Sequence, residues 1–234
     1  MKLYMVPFRQ EARLLTAILP NCRSVHAYSG YQQAKSAQPA LSISKSNQSS
    51  LTPNPQSPTP LTIWEYNGGR VVCWNQAGSA GVEDVVAKIS DFSLYSEVIM
   101  FGSAGSLAHG LSMGQLFCCT TVKDTFGGCW HLPQLDGLPE CGILSTEALV
   151  FDNEKRNEFW QKHHCELVDM ETAAFARLAS LGAFGSAAFG AIRFVSDTYE
   201  ILPALDPITN AFTGKFPPEV RNQITQHRRL FIQR

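Results

Sequence analysis

The sequence predicts an α/β protein with a mixed central β-sheet flanked by helices. Short runs of strand composition alternate along the chain with stretches of helical periodicity, which is typical of this class. The chain has 234 residues, of which 44% are hydrophobic, and is therefore long enough to bury one substantial core. We expect a single domain over residues 1–234.

Composition argues against several classes of partner. Nineteen basic and twenty acidic residues give a net charge of −1, which does not favour nucleic acid or an anionic membrane. Seven cysteines without C-x-x-C spacing indicate reduced thiols rather than disulfides or a zinc site. No stretch approaches the roughly 20 apolar residues of a membrane span, and charges interrupt the N-terminal apolar run. We expect a cytoplasmic protein with no signal peptide and no membrane anchor.

The first third of the chain contains one strand, one helix and one hairpin. Residues 2–7 have strand composition, and the apolar spacing over residues 11–19 predicts a helix. Residues 61–66 and 70–75 are strand-like runs separated by Asn-Gly-Gly, which is a strong hairpin signal.

Residues 34–60 differ sharply in composition, because they are rich in serine and contain five prolines. Such a segment buries little apolar surface, so we expect a flexible insertion at the surface. A tolerated loop expansion is the simpler interpretation, since long insertions cost little loop entropy. A lid over a binding site is the alternative.

Three strand-like runs follow, over residues 98–101, 111–122 and 142–151. The first continues into G-S-A-G-S-L, where glycines allow close approach of a ligand to the backbone, although a plain turn would look similar. The small-residue turn A-G-S-A-G before the next helix lacks the phosphate-loop and dinucleotide-binding spacings, so we expect it to pack under the sheet. The histidines show no ligand spacing. We expect no cofactor and no metal.

The most informative stretch is residues 166–198. Its first part predicts a helix with Met170 and Glu171 in the first turn. Residues 187–195 then form a nearly all-apolar run, as expected for a strand buried on both faces. Asp197 lies at the C-terminal end of that strand, which is the end that faces the ligand crevice in open α/β sheets. One helix and one strand therefore each contribute a carboxylate.

Other charged residues here have structural interpretations. An acid at a helix start is usually a cap, which for Asp169 is as good an interpretation as a role in a site. Arg193 is expected to pair with a nearby carboxylate. Beyond Asp197 the chain is irregular, and a basic helix with a solvated face is expected over residues 220–234.

The two-part pattern V-D-M-E-T-A-A and R-F-V-S-D resembles the nucleoside phosphorylase and nucleosidase superfamily, most closely the bacterial 5′-methylthioadenosine/S-adenosylhomocysteine nucleosidases. The resemblance covers residues 1–19, 71–116 and 142–198. It is moderately specific for the superfamily and does not fix the substrate. It implies the fold of that superfamily, a small-molecule nucleoside substrate and hydrolysis of a purine nucleoside's N-glycosidic bond.

The resemblance also implies roles for residues of this chain. Asp197 would protonate N7 of the leaving base, Glu171 would accept hydrogen bonds from the ribose 2′- and 3′-hydroxyls, and Glu11 of P-F-R-Q-E would deprotonate the attacking water. The other implied substrate-binding residues are Met170 against the ribose, Ser103, Ala104 and Gly105 in the G-S-A-G loop, Leu149 and Val150 near the base, Ser196, and an aromatic residue from the region of Phe212 and Phe216.

Two departures from the family pattern leave other functions open. The family segment H-D-A-D-V-T-A-F, which reaches the pocket of the partner subunit in a homodimer, is reduced to K-D-T-F-G-G-C-W-H at residues 123–131. The family connection near residues 34–60 is also much shorter. A purine nucleoside phosphorylase, a futalosine hydrolase-like enzyme and a non-catalytic nucleoside-binding protein therefore remain alternatives, and a homodimer remains the expected assembly.

Phosphorolysis requires a bound dianion, which proteins hold with arginines or backbone nests. Hexameric phosphorylases of the superfamily carry an early G-D-P-x-R segment and an arginine two positions before the glycine of the G-S/T loop. In this chain the early turn reads P-F-R-Q-E, and the residue two positions before Gly102 is Met100. Both phosphate-binding elements are therefore missing from the sequence, and Arg9 is the one residue that could replace them. We expect water to be the nucleophile.

Overall fold

The computed structural model describes residues 1–28, 61–89, 91–201 and 216–232, and these ranges form one mixed sheet with helices on both of its faces. The strands are β1 (Lys2–Val6), β2 (Arg23–Tyr28), β3 (Leu61–Tyr66), β4 (Gly69–Cys73), β5 (Glu97–Ser106), β6 (Leu116–Asp124), β7 (Cys129–His131), β8 (Glu140–Ser145), β9 (Leu167–Asp169) and β10 (Ala188–Asp197). The helices are α1 (Arg9–Thr16), α2 (Ser79–Lys88), α3 (Asn153–His163), α4 (Thr172–Ser180), α5 (Pro218–Gln226) and α6 (Arg228–Ile232). The predicted α/β class is confirmed.

The sheet closes partly on itself. Its strand order is β10-β6-β8-β9-β5-β1-β4-β3-β2, and β10 pairs with β5 as well as with β6. The strands β5, β10, β6, β8 and β9 therefore form a ring. Because β5 and β10 are parallel, their carboxyl ends meet, and Gly105 pairs with Asp197 across a bulge after Val195.

The central strands β1, β5 and β10 are buried on both faces over most of their length, which explains why these strands are mostly apolar. In β1, Leu3 and Met5 belong to one hydrophobic cluster, whereas Tyr4 and Val6 belong to another. Side chains of α2 and α4 cover the first face, and side chains of α1, α5 and α6 cover the second. Because the helices pack on both faces of the sheet, they hold the ends of the strands in place. The polar side chains at those ends are positioned in the same way.

Several element boundaries differ from those predicted. The helix predicted over residues 11–19 ends at Thr16, and the strand predicted over residues 111–122 runs from Leu116 to Asp124. The basic helix predicted over residues 220–234 is two helices, α5 and α6, which meet at His227. The hairpin is confirmed as β3 and β4. The predicted insertion at residues 34–60 lies outside the described residues, and no helix in the described ranges is long and apolar enough to cross a membrane.

The prediction that Met170 and Glu171 lie in the first turn of a helix was wrong. Residues 167–169 form β9, which pairs with β5 and β8, and α4 begins only at Thr172. Asp169 fixes this start, because its Oδ2 accepts the Thr172 N–H at 3.0 Å. Met170 and Glu171 consequently lie in the turn between the sheet and the helix.

Candidate active site

A small cavity lies at the carboxyl ends of β5 and β10. The lining residues are Phe8, Glu11, Ser103, Ala104, Gly105, Leu149, Val168, Asp169, Met170, Glu171, Ser196, Asp197 and Phe216. Val150 lines an adjoining pocket that shares Leu149 and Asp197, and Phe212 lies outside the described residues.

Glu11 is fixed at the start of α1 by hydrogen bonds to both carboxylate oxygens. Its Oε2 accepts the Phe8 N–H at 3.1 Å, which is one half of a capping box, since the Phe8 side chain has no acceptor for the return bond. Its Oε1 accepts the N–H and the hydroxyl of Ser103, at 2.7 and 2.5 Å. Burial raises the pKa of the Glu11 carboxyl, and the Ser103 hydrogen bonds and the Arg193 charge only partly offset this effect. A fixed carboxylate of raised pKa is suited to accept a proton near neutral pH.

Asp197 ends β10 and is only 4% exposed. The Arg156 guanidinium donates from Nη2 to its Oδ2, and the Ser196 hydroxyl donates to its Oδ1 at 2.7 Å. Burial raises the pKa of Asp197, although the Arg156 charge acts in the opposite direction. Gly105 is required beside this carboxylate, because a Cβ there would lie 2.7 Å from Oδ2.

Sequence reasoning missed Arg156 and the helix that carries it. Asp152 caps α3 by accepting the Glu154 N–H at 2.8 Å, so the D-x-E pattern before a polar run was an available signal for a helix start. The burial of Arg156 has no such signal, since Lys155 and Asn157 on either side are exposed.

Arg193 joins the other carboxylates of the site. Its Nη2 donates to Asp169 Oδ2 at 2.6 Å and to Thr172 Oγ1 at 2.8 Å. The same nitrogen lies 4.0 Å from Glu171 Oε2. The prediction that Arg193 pairs with a nearby carboxylate is confirmed. Asp169 is both a helix cap and the partner of this arginine.

Besides its ion pair with Arg193, Glu171 accepts a hydrogen bond from the small-residue turn before α2. Its Oε1 accepts the Gly78 N–H at 2.7 Å, and Gly78 has a φ of 91°, which favours glycine. This turn was predicted to pack under the sheet, but it contacts a carboxylate of the cavity instead. Burial, followed by the negative charge of Asp169, raises the pKa of Glu171.

The G-S-A-G segment lies inside β5 and not in a turn after it, because pairing with β10 extends the predicted strand to Ser106. Its first glycine, Gly102, accommodates the protein's own charged side chains. A Cβ on Gly102 would lie 2.3 Å from Arg193 Nη1 and 3.3 Å from both carboxylate oxygens of Glu11. The sequence predicts that this glycine lets a ligand approach the backbone. In the structure Gly102 instead leaves room for the buried side chain of Arg193 to pass over β5.

In the described ranges no three histidine, cysteine or acidic side chains are placed to hold a metal ion.

Among known protein families, a model of the phosphorylase superfamily matches residues 141–224, the segment that runs from β8 into α5. The segment includes Glu171 and Asp197. No curated protein matches the chain in sequence.

Solved structures show the same fold over nearly the whole chain. A Helicobacter pylori 5′-methylthioadenosine/S-adenosylhomocysteine nucleosidase, in complex with a pyrrolidine compound, has a TM-score of 0.63 at 13% identity and covers 99% of this chain and 97% of its own. An S-adenosylhomocysteine nucleosidase from Streptococcus pyogenes has a TM-score of 0.63 at 15% identity, covering 99% and 95%. A futalosine hydrolase mutant from Helicobacter pylori has a TM-score of 0.59 at 11% identity, covering 98% and 96%. The superfamily match and this fold confirm the resemblance to the nucleoside phosphorylase and nucleosidase superfamily.

Proposed function

We propose that this chain hydrolyses the N-glycosidic bond of a purine nucleoside, with Asp197 as the acid toward the base and Glu11 as the base toward water. The observation that carries this proposal is the convergence of Glu11, Glu171 and Asp197 on one cavity. Each carboxylate comes from a different element and is fixed by hydrogen bonds to its own neighbours. Such fixed polar groups on an otherwise apolar wall are typical of an active site.

The chemistry needs groups of this kind at opposite ends of the bond. As the C1′–N9 bond breaks, its electron pair goes to the purine and positive charge develops on the ribose. The Asp197 carboxyl gives its proton to N7, which neutralises the departing base. The oxygen of a water molecule bonds to C1′ while its proton passes to Glu11. The products are the free base and the free sugar, and the proton held by Glu11 returns to Asp197 through solvent.

The remaining lining residues suit a nucleoside between these two groups. Glu171 accepts hydrogen bonds from the 2′- and 3′-hydroxyls, a task suited to the two oxygens of a carboxylate. Met170 packs against the ribose, and Leu149, Val150 and Phe216 supply apolar surface for the base. We place Ser103, Ala104 and Gly105 along the ribose and the base, since these residues also line the cavity. The candidate substrates are methylthioadenosine, adenosylhomocysteine and futalosine, which the names of the structural neighbours suggest.

The charges of the cavity favour water over phosphate. The lining residues within the described ranges include four acids, Glu11, Asp169, Glu171 and Asp197, and neither lysine nor arginine. A phosphate dianion would therefore find no cationic side chain among these described lining residues to hold it. Arg9 is exposed and donates to Thr62 Oγ1 at 3.2 Å. The homodimer and the cytoplasmic location remain predictions.

Incubating the purified protein with methylthioadenosine, adenosylhomocysteine, adenosine, inosine and futalosine, followed by chromatography for free base, tests the proposal. Release of base from at least one nucleoside is expected. Asp197→Asn should abolish this release. Asp152→Asn, which makes the same change at an exposed acid, is the matched control and should retain the activity. If none of the nucleosides is cleaved but one of them binds, the non-catalytic binding alternative is correct.

A further inference from the structure

We infer that Arg156 is a positioning residue for the acid, because it occupies one oxygen of Asp197, restricts the transferable proton to the other oxygen, and sets the pH range over which that proton is held. The inference rests on the proposed function for the role of Asp197 as acid. Neither the superfamily match nor the names of the structural neighbours assign this role to Arg156.

The guanidinium of Arg156 is fully buried and held from three sides. Nε donates to Val150 O at 3.3 Å, Nη1 donates to Ser106 O at 3.1 Å, and Nη2 donates to Asp197 Oδ2. These acceptors come from the loop before α3, the end of β5 and the end of β10. A planar fork fixed in this way has a single orientation toward the carboxylate.

The location of the proton follows from which groups can donate. A guanidinium has only donors, so a hydrogen on Asp197 Oδ2 would face an N–H of Arg156. A proton on Asp197 therefore resides on Oδ1. Ser196 Oγ lies 2.7 Å from that oxygen and 3.2 Å from Ala104 O, and its hydroxyl has one hydrogen.

The Ser196 hydroxyl can thus follow the state of the acid. When Asp197 is ionised, Ser196 donates to Oδ1. When Oδ1 carries the proton, the Ser196 hydroxyl turns to Ala104 O, and the acid is free to donate to the base. Side chains already in place then accommodate both states of Asp197.

The pH at which Asp197 loses its proton depends on two opposing effects. Burial favours the neutral acid, and the contact with Arg156 favours the carboxylate. The other titratable groups near this end of the fold are Asp169, Glu171 and Glu11 on the cavity wall, Tyr199, whose hydroxyl donates to Leu107 O, His109, which stacks on Tyr199, and Glu200. Within the described ranges Arg156 is the cation that contacts Asp197.

Direct titration of Asp197 tests the inference without any substrate. The protein is labelled with carbon-13 at the aspartate side-chain carboxyls, and Asp197→Asn identifies the resonance. In Arg156→Met the titration midpoint should move upward by about 1–3 pH units, the usual effect of removing an opposite charge at this range. Arg156→Lys, which keeps the charge, should move it much less. Lys155→Met is the matched control, since it removes an exposed charge from the same helix that is paired with Glu158.

Activity profiles supply the second readout. In Arg156→Met the alkaline limb of kcat/KM against pH should move upward with the titration midpoint, and kcat should fall at least about tenfold because the acid is no longer oriented. Thermal unfolding identifies a variant that fails to fold. If Arg156→Met does not fold, Arg156→Lys decides alone: a wild-type midpoint with lowered kcat is expected.

An unchanged Asp197 midpoint in folded Arg156→Met would overturn the inference, and so would a midpoint in Arg156→Lys far from that of the wild type. A shifted midpoint without cleavage of any nucleoside would instead mean that the proposed function is wrong while the control of Asp197 by Arg156 is real.

Discussion

Replacing Gly102 with alanine should impair both the stability and the activity of this protein. The added Cβ would lie 2.3 Å from Nη1 of Arg193, a separation that real Cβ atoms essentially never show. Arg193 cannot retreat easily, because its Nη2 is bonded to Asp169 and Thr172 at 2.6 and 2.8 Å. The same Cβ would be 3.3 Å from both carboxylate oxygens of Glu11, so any adjustment also reaches the proposed general base.

The magnitude follows from the type of change. Overpacking a buried site costs about 1–3 kcal/mol, and each kcal/mol lowers the melting temperature of a chain of this size by about 2–4 °C. The melting temperature should therefore fall by about 2–12 °C. Displacing a catalytic group by about 1 Å costs on the order of 100-fold in rate. We expect kcat to fall by a comparable factor.

Thermal unfolding followed by circular dichroism, together with steady-state base release, measures both effects. Gly190→Ala is the matched control in the same sheet. Its Cβ would lie 2.9–3.1 Å from Leu135 Cδ1, Cδ2 and Cγ, but Leu135 is only partly buried and its side chain can move aside. The control should melt and react nearly as the wild type does. If Gly102→Ala retains wild-type melting and activity, the packing of Arg193 between β5 and the carboxylates has been misjudged.

Two further predictions concern Glu171. Glu171→Gln should raise KM for ribosides far more than for 2′-deoxyribosides, because the carboxylate serves the hydroxyls; equal losses in steady-state assays on both sugars would contradict this role. The second prediction concerns stability against pH, because burial raises the pKa of Glu171 from 4.5 to about 8. A folded pKa above the unfolded value stabilises the protein fully below about pH 4.5, and this stability is lost as the pH rises through about 8. The melting temperature should fall over this window, by about 3–5 °C for each unit of pKa shift. Glu171→Gln should flatten the curve, and a variant with the wild-type slope would show that another group is responsible.

Local patterns predict the parts of the fold that depend on local chemistry. The Asn-Gly-Gly turn predicts the hairpin, and the all-apolar run before Asp197 predicts a strand buried on both faces. Because the ends of such strands face a crevice, the position of Asp197 in the cavity also follows from the sequence. Glu11 is different, since its early helical position has an ordinary capping interpretation and only the family resemblance selected it.

The parts that local patterns could not predict depend on contacts between distant residues. Residues 167–169 directly precede a stretch of helical periodicity, and no local pattern marks them as a strand. They form β9 because they pair with β5 and β8. Arg156 lies between exposed residues, and its burial results from three acceptors that are 6, 50 and 41 positions away. The need for glycine at position 102 likewise results from Arg193, which is 91 positions further along the chain.

The identity of the sugar product in phosphate-free buffer is the most direct test that Asp197 and Glu11 serve hydrolysis. The wild-type protein should release the free base and the free sugar without added phosphate. Asp197→Asn should still bind the nucleoside but release almost no base, because an amide keeps the shape and has no carboxyl proton to give. Glu11→Gln should lose turnover as well, since it cannot accept a proton from water. The opposite result would be a rate that rises from near zero in proportion to added phosphate and yields ribose 1-phosphate, in which case the reaction is phosphorolysis and Arg9 becomes the first residue to replace.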